Sequence, residues 1–207
     1  MKKLHYLFLL LFIHLTVINI SVSQFTDYQS PFTGSLNSGD FATIPFGSMN
    51  SYHAWICGDS SMVMKLYPFS VPPQFRIVKG NLPRGITFKA MCSIDTTTAF
   101  AAGMNGTVSV VYKTTNTGQN WILVFSQPNG NINSIWFKTS QTGLMAGDPA
   151  GGRWSLFKTT NGGVNWDSAG MYLPQAGSEV SFSNDMFARG DTVWMGTNNS
   201  RIYISQN

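Results

Sequence analysis

Charge is the scarcest commodity in this chain. Charged residues make up 11% of the 207 residues, where about 25% is usual, and Glu179 is the sole glutamate. Surface helices draw on Glu, Lys, Ala and Leu, so this composition argues against a helical or mixed fold. Cysteine is nearly absent too, with only Cys57 and Cys92. A disulfide framework is therefore excluded, and one bridge remains open in an oxidising compartment. The two are read first as small buried hydrophobes, because Cys57 falls where the other repeats carry Ala or Met. His5, His14 and His53 are the only histidines and form no ligand cluster. No P-loop and no Gly-x-Ser-x-Gly elbow occurs, and no cofactor or metal is expected. Basic clusters are missing as well, so nucleic acid is not an expected partner.

What the chain does contain begins with an export signal. Met1-Lys2-Lys3 is basic, Leu4 to Ile20 is mainly apolar, and Ser21-Val22-Ser23 places small residues before Gln24. That order predicts a signal peptide over 1–23 and a location outside the cytoplasm: periplasm, cell surface or extracellular space. A membrane anchor needs about 20 unbroken apolar residues, and His14, Thr16 and Asn19 interrupt this run. No Cys stands at the cleavage point to take a lipid. Without Lys2 and Lys3 the formal net charge of +4 falls to +2. The remainder, 24–207, is long enough for one domain, and its aromatic and β-branched content suits strands.

An internal repeat organises that remainder. Ala54-Trp55-Ile56-Cys57-Gly58, Phe100-Ala101-Ala102-Gly103, Gly143-Leu144-Met145-Ala146-Gly147 and Val193-Trp194-Met195-Gly196 align on a glycine, at spacings of 45, 44 and 49 residues. Each is followed by a second apolar segment: Met62–Leu66, Ser109–Thr115, Trp154–Thr160 and Arg201–Ser205. Turn residues such as Gln127-Pro128-Asn129-Gly130 punctuate the units. Four short antiparallel strands per unit of about 45 residues make one blade of a β-propeller. In the third unit the strands are expected at 133–137, 143–147, 154–159 and from Trp166 onward, with the small Ala/Gly strands near the axis. Fewer than four full blades are visible, and propellers need about four to eight. The expectation is an all-β, incomplete propeller of three and a half to four blades, completed beyond Asn207 or by a second chain.

Two octets follow the third strands at blade spacing. Thr114-Thr115-Asn116-Thr117-Gly118-Gln119-Asn120-Trp121 and Thr159-Thr160-Asn161-Gly162-Gly163-Val164-Asn165-Trp166 both fit [ST]-x-[DN]-x-G-x-x-W, and Ser205-Gln206-Asn207 begins a third copy. Thr and Asn side chains can bond the turn's own backbone. Gly118 and Gly163 suit positive φ, and Trp121 and Trp166 are placed to pack between neighbouring blades. The structural residues of the octets are thus Thr114, Asn116, Gly118, Trp121, Thr159, Asn161, Gly163, Trp166, Ser205 and Asn207.

The pattern resembles the BNR/Asp-box superfamily of sortilin- and sialidase-type propellers. It is most similar to secreted proteins of the photosystem II stability/assembly factor type, through Phe100–Thr107 and Phe157–Trp166. The resemblance implies a propeller scaffold, and the expected role is protein or glycan binding or assembly on a propeller face, with no catalysis evident. It departs from the family in carrying Asn where both octets usually have Asp, and in lacking an octet in the first blade.

The alternative is a glycoside hydrolase with part of its site beyond residue 207. Phe75-Arg76-Ile77-Val78 resembles the sialidase F-R-I-P motif, whose arginine binds a carboxylate, but Val78 replaces the proline. Asp59 and Asp148 share one repeat position after the strand glycine, and a glycosidase needs two facing carboxylates. Asp59, Asp148 and Arg76 are the catalytic candidates. Their plainer roles are turn-shaping for the aspartates and an exposed outer-strand position for Arg76. Asn105-Gly106-Thr107 and Asn198-Asn199-Ser200 match the glycosylation sequon and are given no role.

Overall fold

The computed structural model describes residues 30–46, 49–67 and 74–206, so the expected signal segment and Asn207 lie outside it. Among the described residues the elements are all strands, arranged as four antiparallel sheets in chain order. The first holds β1 (Leu36–Phe46), β2 (Met49–Gly58), β3 (Val63–Tyr67) and β4 (Gln74–Ile77). The second holds β5 (Thr87–Ser93), β6 (Ala99–Asn105), β7 (Val108–Thr114) and β8 (Ile122–Pro128). The third holds β9 (Ile132–Phe137), β10 (Gly143–Ala150) and β11 (Arg153–Thr159), and the fourth β12 (Met186–Arg189), β13 (Thr192–Gly196) and β14 (Ile202–Ser205). Within every sheet, strands are ordered as in the sequence. Short turns and up-and-down pairing follow from turn residues every few positions along a chain rich in strand formers.

The first strands of successive sheets adjoin one another: β1 packs on β5, β5 on β9 and β9 on β12. The sheets thus succeed one another about a common inner line. The Ala/Gly-rich segments form the second strands, one place out from the inner line. Between sheets the core is apolar and aromatic. One cluster joins Trp55, Ile86, Phe88, Tyr112 and Trp121, and a second joins Phe100, Val111, Ile132 and Met145. The third, around Ala146, Trp154 and Met195, is smaller.

The repeat glycines have a shared steric duty. Opposite three of the four, the first strand bulges by one residue: Gly58 pairs with Leu36 and Gly103 with Phe88, followed by register shifts, and Gly147 pairs with Ile132 next to another shift. A Cβ at these glycines would lie 2.0 Å from Ser35 O, 2.2 Å from Thr87 O and 2.3 Å from Asn131 O. Two of those carbonyls accept bonds from the amides that follow the glycines, Asp59 N to Ser35 O and Asp148 N to Asn131 O, both at 3.1 Å. Only a residue without Cβ lets the bulged strand come that close.

The fourth sheet corrects the repeat alignment. Met195 pairs with Met186 and Tyr203, as Met145 pairs with Ile135 and Phe157. Met195 therefore holds the place of Met145, and the place of Gly147 falls on Thr197, one residue after Gly196. A Cβ on Gly196 would meet nothing within 4 Å, and β12 and β13 pair without a bulge. A one-residue slip exchanges the two faces of a strand, so Met195 and not Trp194 packs inward here. In this register Ser205 pairs with Val193 as Thr114 pairs with Ala99 and Thr159 with Gly143.

The expected fourth strand of the third sheet is also corrected. From Trp166 onward only isolated bridges form, Lys158 with Asp167 and Arg153 with Pro174. Lys158 exchanges both backbone bonds with Asp167, whereas Trp154 N donates to Leu173 O. That leaves two residues more than a continuous ladder can hold. They are taken up in a turn closed by Met171 N to Ser168 O at 3.0 Å, with Gly170 at φ +74°.

These contacts set opposite expectations for two glycines. Gly103→Ala drives a Cβ into Thr87 O and is expected to cost about 2–3 kcal/mol, while Gly196→Ala stays within about 0.5 kcal/mol of the parent. Urea unfolding of both variants measures this. Equal losses at the two sites would contradict the bulge assignment.

Candidate functional site

The two octets fold into one turn, with the same side-chain bonds in each. In the first, Thr114 Oγ1 accepts from Gly118 N at 3.0 Å and Asn116 N at 3.3 Å, and Asn116 Oδ1 accepts from Asn120 N at 2.9 Å. In the second, Thr159 Oγ1 accepts from Gly163 N at 2.9 Å and Asn161 N at 3.3 Å, and Asn161 Oδ1 from Asn165 N at 3.0 Å. Each threonine hydroxyl donates to its asparagine Oδ1. A neutral Asn oxygen satisfies the same amides that an Asp would. Gly118 and Gly163 have φ of +78° and +74°.

These turns deliver the tryptophans onto the preceding sheet. Trp121, 3% exposed, meets Trp55 edge-on at 6.2 Å, and its Nε1 donates to Val78 O at 3.0 Å. Trp166 meets Phe100 at 6.4 Å and Phe137 at 5.8 Å, both edge-on. A lysine completes each junction. Lys65 Nζ lies 5.0 Å from the Trp55 ring and donates to Thr96 O, on the next sheet. Lys113 Nζ lies 5.5 Å from the Phe100 ring and donates to Gly162 O at 2.7 Å, again on the next sheet. Burial lowers the Lys65 pKa, and the Asp95 carboxylate works against that shift. These lysines went unremarked in the sequence, although Lys113 and Lys158 each stand directly before an octet.

The catalytic candidates are held in separate structural contacts. Asp59 Oδ1 accepts from Asn37 Nδ2 at 2.9 Å, and the same amide reaches Phe88 O at 2.9 Å. Asp148 Oδ2 accepts from Asn131 Nδ2 at 2.7 Å, and its Oδ1 accepts from Ser181 N and Oγ, both at 2.9 Å. The two aspartates occupy the same repeat position but belong to the first and third sheets, with the second between them. Arg76 sits exposed on β4 with its guanidinium 4.9 Å from the Tyr67 ring. The structure does not bring these three together. Cys57 and Cys92 are free thiols buried in different clusters, and burial pushes both well above the usual thiol range. No group of three or more His, Cys, Asp or Glu that could hold a metal exists among the described residues.

A different pair of carboxylates, Asp148 and Asp185, is close enough to interact electrostatically. Asp185, ahead of β12, accepts from Ser134 Oγ at 3.0 Å and Phe182 N at 2.8 Å. Burial raises its pKa, and the nearby charge of Asp148 adds to the rise. Both aspartates brace the long connection from β11 to β12. Glu179 anchors that connection from within: it is 0% exposed, its Oε1 lies 3.0 Å from Arg201 Nε and its Oε2 accepts from Tyr203 Oη at 2.8 Å. Farther on, Asn184 Nδ2 donates to Ser38 Oγ, at 2.8 Å, on β1. Held at these points, the connection exposes Tyr172 (70%) and Phe182 (58%) to solvent. Sequence reading missed this segment, although its sole glutamate in so sparsely charged a chain was a visible signal.

Sheets succeeding one another about an inner line, each pinned to its neighbour by ring contacts, define a β-propeller. No protein-family model matches the chain, and no curated protein does. Among solved structures seven chains match. One of them, described as "YCF48 bound to D1 peptide", is a β-propeller with a TM-score of 0.50 and 15% identity over 86% of this chain and 67% of that one. At that identity the likeness shows the fold.

The raised pKa of Asp185 carries a pH signature. Folded Asp185 keeps its proton to higher pH than the unfolded chain does, so its contribution to stability is present at acid pH and lost as pH rises through the folded value. The parent should therefore lose stability relative to Asp185→Asn as pH rises through and above the ordinary carboxylate range, read from urea midpoints of the two proteins. A difference that stays constant or shifts the other way would refute the assignment.

Proposed function

We propose that this chain is an exported scaffold of the Asp-box propeller type that binds a protein segment through the loops of its propeller. The observation that carries this reading is the connection between β11 and β12. Two large aromatic side chains there, Tyr172 and Phe182, are exposed on a segment that Glu179, Asp148 and Asp185 hold in place. Exposed apolar groups on anchored loops are characteristic of partner surfaces, and a pre-ordered loop loses less entropy on binding. The neighbouring propeller was solved with a peptide, which agrees in kind with such a role. Identity within the Asp-box group is supported by the two copied turns. Export is supported by the order of residues 1–23, and no helix among the described residues is long and apolar enough to cross a membrane.

The hydrolase alternative would need facing carboxylates. Asp59 and Asp148 instead accept bonds from Asn37 on β1, from Asn131 just before β9 and from Ser181 of the adjoining connection. A glycan partner remains a second ligand class for the same loops, although the exposed groups there are aromatic and apolar, which favours a peptide.

The test is a peptide-display selection on the purified protein, paired with a glycosidase assay. Selected peptides should bind the parent and lose at least about tenfold affinity for a Tyr172→Ser, Phe182→Ser double variant, with no release of aglycone from aryl sialosides or from xyloglucan. The exported protein should begin at Gln24 by mass spectrometry. Turnover abolished by Asp148→Asn would replace the scaffold reading with the hydrolase. Peptides that bind the double variant unchanged would move the partner surface elsewhere.

A further inference from the structure

The bulge in β9 puts a polar side chain into the interior. Gly147 pairs with Ile132 and Ala146 with Ser134, so Asn133 is the extra residue between them. Bulges re-aim side chains, and this one leaves Asn133 only 2% exposed. Its Nδ2 donates to Ser181 Oγ at 2.6 Å, and Ser181 Oγ donates in turn to Asp148 Oδ1 at 2.9 Å. That direction is fixed, because a carboxylate only accepts and a serine hydroxyl has one proton to give. The Asn133 amide is thus held one way round, and its Oδ1 is buried with no donor among the described residues. Asn131 repeats the arrangement. Its Nδ2 donates to Asp148 Oδ2 at 2.7 Å, and its Oδ1 is buried and undonated as well.

Charge around these oxygens is unbalanced. Asp148 and Asp185 lie close enough for the charge of one to act on the other. Neither has an ion-pair partner among the described residues, where Lys138 is paired with Asp191 and Arg201 with Glu179. Asp185 belongs to the same group through its neighbours. It accepts from Ser134 Oγ, beside Asn133 in the chain, and from Phe182 N, beside Ser181. Asn184 N closes the group by donating to Asn133 O at 2.8 Å.

Two carboxylates and two undonated amide oxygens make an oxygen-only set with no cation of the protein's own to balance it. A buried amide oxygen without a donor is costly, and so is a pair of facing charges. One hard cation relieves both. Calcium takes Asp carboxylates and Asn carbonyls in flexible geometry, whereas magnesium demands a near-ideal octahedron and gives up its waters reluctantly. Metals that seek thiolate or imidazole find neither in this group.

We propose that Asp148, Asp185 and Asn133, joined by Asn131, bind a calcium ion between β9, β10 and the turn ahead of β12. The ion ties the β9 bulge to that turn. Two carboxylates are a low charge count for such a site, so the Kd falls in the weak range, about 10⁻⁴–10⁻³ M. The site lies beneath the connection that displays Phe182, but it stands on the donor set and its charge, not on what those loops bind.

The test is calorimetric titration of calcium chloride into the full chain, stripped of metal by a chelator, at neutral pH. Saturable binding of one ion per chain is expected, with magnesium binding more weakly. Asp185→Asn and Asp148→Asn should each weaken calcium at least about tenfold with unchanged circular dichroism. Asp191→Asn, whose carboxylate faces Lys138, should bind as the parent does. Calcium should also raise the urea midpoint of the parent and leave that of Asp185→Asn where it was. A titration without binding up to about 10 mM, well above the expected Kd, overturns the proposal, and so does binding that survives in Asp185→Asn. Equal loss in Asp191→Asn would mark diffuse screening and overturn it too. Peptide affinity enters none of these readouts, so a failure here leaves the loop reading standing, and the converse holds.

Discussion

A ring seated on the neighbouring sheet holds this fold together. A single sheet of four short strands has two apolar faces and cannot bury both by itself, so each depends on the next. The octet turn solves that dependence at one point. Its threonine and asparagine satisfy the turn's amides locally, which fixes the direction in which the following tryptophan leaves. Trp121 then buries nearly all of its surface against Trp55 and its cluster. A ring of that kind covers about 150–250 Å², and at about 25 cal/mol per Å² removes several kcal/mol of apolar exposure. Lysine closes the junction from the other side, donating to a carbonyl of the next sheet while its cation rests on the ring. Lys65 is nearly fully buried, and the bond to Thr96 O together with the Trp55 and Tyr67 faces compensates a charge that would otherwise be costly.

Local features were legible in the sequence to the extent that their physics is local. The octets were readable because side-chain-to-backbone bonding within eight residues needs no tertiary context. Three of the four repeat glycines were readable because a bulge that crowds a carbonyl admits nothing else. Gly196 shows the limit. It sits one residue from the repeat position, and a spacing of 49 instead of 50 looks unremarkable in a list of glycines. Yet that single step decides whether Met195 or Trp194 faces inward, because side chains alternate along a strand. The irregular outer segment after Trp166 was illegible for a related reason: the turn at Ser168–Met171 is visible as turn-forming residues, but the two-residue excess exists only relative to β11.

The candidate site was legible least of all. Asp59 and Asp148 hold the same repeat position, but equivalence in a repeat places residues on different sheets and does not make them face each other. Glu179 works in the opposite way. Nothing in its sequence neighbourhood marks it, and its partners Arg201 and Tyr203 lie on and beside β14, reached only when the fourth sheet packs on the third. The long connection it anchors bridges from that junction to Ser38 on β1. Fold and partner surface are thus linked: the residues that fasten the fourth sheet also fix the loop that displays Tyr172 and Phe182.

The junction is most directly tested by a double-mutant cycle on Trp55 and Trp121, each replaced by leucine singly and together, with stabilities from urea unfolding. If the ring seat holds sheet to sheet, the two losses overlap, and the coupling energy reaches about 1 kcal/mol or more. Losses that add to within about 0.3–0.5 kcal/mol would mean the rings are buried side by side without depending on each other, and the sheets would have to be held by something else.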